Sequence, residues 1–364
     1  MKSRLLFLFL LFPLLAGAQT YTYSTIVYFG PASEGGPFFP ITQPLMDAQG
    51  NFYGNSEAGG TFDLGTVFKV TPGGVVTVLH SFNGADGQLP ESNLARDSQN
   101  NLYGVTVLGG KYGRGTVYKV APDGTETVLF SFPGTFPDGG APRTPLILDA
   151  AGNIYGITIF ADNNFDYNGG SIFKLAPDGT FTLLYQFCNP AGTCANGEDP
   201  TSLIMDKAGN LWGATAAGGA NTSGNVFMLT PQGHLRVIYS FPCCIDGQPV
   251  GYLARSGNNF YVATRSSIYK VTAAGVGSVL YTFPSNTHPD GLLTIDSAGN
   301  LYGTTDSDTV FKITPDGVGT TIFTGTTSEP VGGSVILDKA GNLYGTAQSA
   351  GQYFAGSIFK LTPN

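Results

Sequence analysis

One short phrase returns seven times along this chain of 364 residues. An acidic residue is followed by a Gly-Asn or Asn-Asn turn and then by an aliphatic-aromatic-Gly strand start. The copies are Asp47–Gly54, Asp97–Gly104, Asp149–Gly156, Asp206–Gly213, a degraded Arg255–Val262, Asp296–Gly303 and Asp338–Gly345. Successive copies are 50, 52, 57, 49, 41 and 42 residues apart. A unit of this size cannot bury a core by itself, so its neighbours must cover it. No stretch carries helical periodicity over the length a helix needs. Short strands repeated at this period predict an all-β ring, a seven-bladed β-propeller with one blade per copy.

The second copy spells out a blade. Leu94–Asp97 is a strand, Ser98 to Asn101 a turn, and Leu102–Thr106 the return strand. A Gly-rich loop leads to Thr116–Val120, then Ala121-Pro122-Asp123-Gly124 turns the chain into Thr127–Phe132. Pro presets φ and Asp-Gly supplies a left-handed residue, so that turn has a mechanism. Four antiparallel strands per blade result. The last copy has three strands and stops after Ser357–Leu361, whereas Thr25–Phe29 near the start is an orphan strand of the fourth type. Joining the two completes the seventh blade and leaves no open edge.

The first eighteen residues read differently. Lys2 and Arg4 precede an apolar run from Leu5 to Leu15 and a small-residue Ala16-Gly17-Ala18. This is the pattern of a cleavable export signal, leaving residues 19–364 as one domain. No second apolar run is long enough to span a bilayer. The expectation is an exported monomer, extracellular, periplasmic or surface-associated, with no anchor of its own. The net charge of −8 argues against a nucleic-acid partner, whose phosphates demand a basic surface.

Several phrases carry a resemblance. Gly115-Thr116-Val117-Tyr118-Lys119-Val120, Leu129-Phe130-Ser131-Phe132, Asn101-Leu102-Tyr103-Gly104 and Gly109-Gly110 resemble the repeat of the bacterial GloVer tandem-repeat family, as does Gly65–Phe82 with its Leu79-His80-Ser81-Phe82. The resemblance covers essentially the whole chain after residue 18. It implies an exported repeat protein and no established activity. The Asp-x-x-Gly-Asn strand start is also similar to that of extracellular calcium-dependent lactonases and streptogramin lyases, but none of their site residues maps onto this chain one by one.

The recurring residues have structural explanations. Asp47, Asp97, Asp149, Asp206, Asp296 and Asp338 are turn-makers, because a carboxylate accepts from turn amides. The third-strand lysines Lys69, Lys119, Lys174, Lys270, Lys312 and Lys360 give way to Met228 in the fourth copy, which points to a packing stem. The aromatic series Tyr53, Tyr103, Tyr155, Trp212, Tyr261, Tyr302 and Tyr344 reads as packing between blades. His80, His234 and His288 fall in different copies with no shared spacing and support neither a zinc site nor a Ser-His-Asp triad. His80 holds a position that is Phe130, Tyr185 or Tyr239 elsewhere, so packing accounts for it. Gly110–Gly115 precedes a strand, not a helix, and is no phosphate loop.

Three features remain. Cys188, Cys194, Cys243 and Cys244 predict disulfides in an exported chain: Cys188–Cys194 with a vicinal Cys243–Cys244, or a cross-link between the two loops. Propeller topology places the fourth-to-first and second-to-third strand connections on one face. The first set carries Asp86, Asp138, Asp199, Asp246 and Asp290, the candidate ligand-binding acids. The longest loop of the second set offers Asp162, Asn164 and Asp166 at alternating positions, which suits calcium although the loop is not an EF-hand. The expected role is a non-catalytic binding or scaffold module for a glycan, a surface protein or a metal ion, with no required cofactor. The alternative is a metal-dependent hydrolase or lyase of the lactonase kind, which clustering of acids at the channel would favour.

Overall fold

The structure, a computed structural model, describes residues 20–31, 35–40, 42–135, 138–159, 169–188, 194–243, 248–348, 350–351 and 353–364. The expected export signal, Asp162, Asn164 and Asp166 of the calcium loop, Asp246 and Cys244 lie outside them. Among the described residues every regular element is a strand. They form seven separate antiparallel sheets. Six sheets run outward in sequence order, the seventh takes its outermost strand from the start of the chain, and the first strands of consecutive sheets lie against one another around the axis. This is the seven-bladed propeller that the period predicts.

Blade 2 is the plainest, with Ala95–Arg96 innermost, then Leu102–Thr106, Thr116–Val120 and Glu126–Ser131. Blade 1 departs slightly: its inner strand is split into Pro37–Pro40 and Leu45–Met46, both paired with Phe52–Gly59.

Closure follows the orphan-strand expectation. Tyr21–Tyr28 is the outermost strand of blade 7, antiparallel to Ser357–Pro363, with Tyr21 opposite Pro363 and Tyr28 opposite Ser357. The strand begins earlier than Thr25, because Tyr21 is buried and Tyr23 stacks on Phe323 and Phe359 with centroids 5.5 and 5.7 Å away. Aromatic packing extends the pairing beyond what strand propensity marks.

The core lies between blades, not within them. Seven hydrophobic clusters are each shared by two consecutive blades. The Phe that ends a fourth strand seals the seams, except between blades 6 and 7, where Gly325 takes its place. Phe82 meets Tyr118 edge-on at 5.0 Å, Phe132 meets Phe173 at 5.4 Å, Phe187 meets Phe227 at 5.1 Å, and Phe283 meets Phe311 at 5.0 Å. Such a pair adds about 0.5–1.5 kcal/mol beyond the area it buries. The Leu-Phe-Ser-Phe phrase of the sequence is therefore a seam signature.

Gly at the centre of the second strand has a seam role too. A Cβ on Gly104 would overlap the Tyr118 ring of the adjacent strand. Val262 takes the equivalent place in blade 5, opposite Tyr269. That blade also corrects the reading of Arg255. Arg255 pairs with Phe260 as Arg96 pairs with Leu102, so it does not replace the turn aspartate. Ser256 stands where the aspartate would, and the turn is one residue shorter. Arg255 instead places its guanidinium 5.8 Å from the Trp212 ring and 5.4 Å from Phe260.

Candidate functional site

The face formed by the first-to-second strand turns is a structural ladder. In blade 2, Asp97 Oδ1 accepts from the Gln99 and Asn101 amides, and Oδ2 accepts from Asn101 Nδ2 at 2.7 Å and the Tyr103 hydroxyl at 3.0 Å. The same four bonds form at Asp47, Asp149, Asp296 and Asp338, with an alanine amide in place of Gln99 in the last three. In blade 4 the indole of Trp212 replaces the phenol and donates to Asp206 at 2.9 Å. Burial alone would raise these carboxyls, but the donors outweigh it and hold all six below the usual range. Burial and then the Asp97 carboxylate push the Tyr103 hydroxyl up to about 12. Lys69, Lys174, Lys312 and Lys360 hold their ammonium groups 5.7 to 5.9 Å from the ring of the same blade's tyrosine. The repeated Asp, Tyr and Lys thus answer one another and hold the turns of this face. The aromatic series was expected to pack between blades; its polar tips close the turns as well.

The opposite face carries the described candidate acids, Asp86, Asp138, Asp199 and Asp290, of which Asp290 alone lines its cavity. Asp290 lines a cavity of about 290 Å³ at the mouth of the channel, with Glu91, Asn93, Asp306, Asp308 and Gln348. Asp290 reaches water, yet the protein crowding it and the charge of Asp306 raise its carboxyl. Glu91 is raised chiefly by burial, against the pull of the Arg143 guanidinium 3.3 Å away. Asp306 accepts from the His288 amide at 2.9 Å and lies 2.6 Å from His288 Nδ1. The amide first and the imidazole second hold Asp306 low. Behind the mouth, Gln43 Nε2 donates to Thr294 and to the Val335 carbonyl, which ties blades 1, 6 and 7 together.

The other acids lie apart. Asp199 has a left-handed φ of 52° and one buried carboxylate oxygen without a hydrogen bond. Burial raises its carboxyl. Asp138 is half-buried in its turn. Asp86 is drawn into the seam between blades 1 and 2, where its Oδ2 lies 3.1 Å from His80 Nε2. His80 is therefore more than a packing residue. Glu126 joins this pair, and burial together with the charge of Asp86 pushes its carboxyl up to about 7. His234 is exposed on its turn.

The disulfide Cys188–Cys194 is formed, as the first pairing scheme expects. Cys243 is also disulfide-bonded.

The second-to-third strand loops hold what sequence reasoning missed. Four share one geometry, with the closing glycine amide of Gly65, Gly115, Gly224 and Gly356 donating to the carbonyl six residues earlier. The fourth residue of the loop is Phe62 in blade 1, Tyr112 in blade 2, Asn221 in blade 4 and Tyr353 in blade 7. Phe62, Tyr112 and Tyr353 are 59%, 50% and 51% exposed, and Phe354 next to Tyr353 is 68% exposed. Phe354 also has a left-handed φ of 53°, uncommon for a bulky residue. Blades 7, 1 and 2 are consecutive, so neighbouring loops of one face present these rings, and the loops lean on the outer strand of their own blade, as where the Lys111 amide meets Ser131 Oγ at 3.4 Å. Aligning the loops on their glycines would have revealed them.

Among the described residues no helix is long and apolar enough to cross a membrane.

Known structures share this architecture. A streptogramin B lyase matches with a TM-score of 0.63 at 18% identity, over 94% of this chain and 98% of its own. The extracellular domain of a putative one-component system from B. thetaiotaomicron matches with a TM-score of 0.62 at 11% identity, over 94% of this chain and 40% of that one. PorZ, a surface component of the type-IX secretion system of Porphyromonas gingivalis, matches with a TM-score of 0.58 at 15% identity, over 92% of this chain and 47% of that one. At such identities the likeness is one of fold. No curated protein sequence matches the chain. The Gloeobacter/Verrucomicrobia repeat model matches residues 40–267, well over half of the sequence, and agrees with the GloVer resemblance of its phrases: the chain belongs to that repeat family.

Proposed function

We propose that the protein is a non-catalytic binding propeller that takes a neutral glycan on the loop face, outside the cytoplasm. The exposure of Phe62, Tyr112 and Tyr353 carries this reading. Three aromatic rings at one loop position in consecutive blades are costly to expose unless they meet an apolar surface. A pyranose offers such a surface in its C–H face, and the acceptors Glu91, Asp290 and Asp308 of the cavity on the same face suit sugar hydroxyls. The scattered acids support binding over catalysis, since Asp290 alone of the described candidates lines that cavity. The disulfide Cys188–Cys194 and the extracellular setting of the B. thetaiotaomicron domain support export.

A panel of neutral oligosaccharides, read by calorimetry, tests this. Wild type binds at least one; the triple variant Phe62→Ala, Tyr112→Ala, Tyr353→Ala keeps its circular dichroism and loses at least tenfold in affinity. Equal binding by the triple variant, or none by wild type, removes the reading. A hydrolase or lyase is the second reading, and it draws on the His288–Asp306 pair beside Asp290. Turnover of a lactone by wild type that disappears in His288→Ala would favour it.

A further inference from the structure

The outer strands of the propeller meet at seven seams through one equivalent pair of positions, and one seam breaks the rule. The first position is the residue opposite Val67, Val117, Ile172, Val226, Ile268, Val310 or Ile358. The second is the outer-strand residue of the next blade opposite Val70, Val120, Leu175, Leu229, Val271, Ile313 or Leu361. Between blades 2 and 3 the pair is Phe130 and Phe181, stacked at 4.6 Å. Between blades 6 and 7 it is Phe323 and Tyr23, stacked at 5.5 Å. Tyr239 and Tyr281 cover Gly277 and Gly319 so closely that a Cβ on either glycine would overlap the ring. Tyr185 pairs with Leu235, and Val27 with Val76, in their shared clusters. Between blades 1 and 2 the pair is His80 and Glu126.

Replacing a hydrophobic pair by two ionisable groups costs stability unless something satisfies them. Glu126 Oε1 is buried and has no hydrogen-bond partner. Asp86 turns in from the connecting loop, oriented by the Asn83 amide on its Oδ1 at 2.9 Å and by Thr116, whose hydroxyl donates to its backbone carbonyl at 3.0 Å. That leaves Asp86 Oδ2 facing His80 Nε2. The His80 ring is set edge-on against Phe82 at 4.9 Å. One ligand atom from each of His80, Asp86 and Glu126 lies within 4.8 Å of the others.

We propose that His80, Asp86 and Glu126 bind a divalent metal ion of the zinc class that bridges blades 1 and 2. One imidazole and two carboxylates form an N/O donor set suited to zinc. Ligand bonds of about 2.0–2.2 Å place donor atoms roughly 3–3.7 Å apart. The His80–Asp86 pair has that spacing already, at 3.1 Å, and a Glu126 oxygen lies within 4.8 Å of both. Metal binding requires the ligands deprotonated, and two carboxylates with a neutral imidazole then carry two negative charges that a divalent ion cancels. The ion would do at this seam what the stacked rings do at the next one.

The test compares wild type with the double variant His80→Phe, Glu126→Phe, which copies the Phe130–Phe181 pair. Zinc chloride is titrated calorimetrically, and metal content is measured after dialysis. Wild type should retain one zinc per chain and gain roughly 5 °C in Tm on loading; the double variant should keep its fold and show neither. A second variant, Glu126→Gln, keeps the side chain's shape and should lose at least tenfold in zinc affinity. Zinc uptake by wild type no greater than by the double variant, or undiminished affinity in Glu126→Gln, overturns the proposal.

Discussion

The turn ladder can be dissected at Asp97. Its carboxylate accepts four hydrogen bonds, from the amides of Gln99 and Asn101, from Asn101 Nδ2 and from the Tyr103 hydroxyl. A bond to a charged group is worth about 1.5–3 kcal/mol when its donor cannot return to water. The two amides sit on a solvated turn and regain water, so each counts for little. The Asn101 and Tyr103 donors are half-buried and regain it only in part. Asp97→Ala should therefore cost about 2–3 kcal/mol, and Tyr103→Phe about 1 kcal/mol. Asp97→Asn keeps an acceptor for the amides but turns an NH2 toward two donors, so it should cost about 1–2 kcal/mol. The double variant Asp97→Ala, Tyr103→Phe should fall short of the sum by about 1 kcal/mol, because the first change already removes the phenol's partner. Urea unfolding followed by circular dichroism and by the single Trp212 gives these values as midpoint shifts at constant slope. Trp212 lies two blades away, so coincident curves would show that the loss is felt by the whole ring. Strict additivity of the two changes, or wild-type stability in Asp97→Ala, would refute the ladder as an energetic unit.

Two further outcomes follow from the same structure. Six ladder aspartates have folded-state carboxyls below the ordinary 3.8, so their stabilisation is full above that pH and is lost as pH falls through the lowered values. Tm measured from pH 6 down to pH 2 should hold to about pH 4 and then drop steeply, whereas a flat profile through pH 3 contradicts the shifts. Deleting Tyr21 to Tyr28 strips the partner from Ser357–Pro363 and opens an unpaired edge. The product should be insoluble or oligomeric, and a soluble monomer with native circular dichroism would count against closure as a requirement.

Much of this was legible along the chain. Blade number, strand order and the closing N-terminal strand follow from a period and from one missing strand, because each repeat needs neighbours to bury its faces. The turn role of Asp97 and its equivalents follows from local hydrogen bonding, which reaches only a few residues. Arg255 was misread for the opposite reason: a one-residue deletion in a turn leaves the phrase recognisable but shifts its register. Register is set by pairing across strands, and spacing alone does not reveal it.

The candidate sites divide along the same line. Sequence alone determined which face would carry Asp86, Asp138, Asp199 and Asp290, since alternating strand direction sends every fourth-to-first connection to the same side. Only the tertiary structure decided which of those acids meet anything. Asp86 and Glu126 are forty residues apart in the chain and belong to different loops and strands, yet the seam brings them both to His80. The same holds for Asp290, which shares its cavity with Glu91 from the far side of the ring's closure. Contacts between blades depend on how the sheets lean on one another, and that information resides in packing rather than in any repeat.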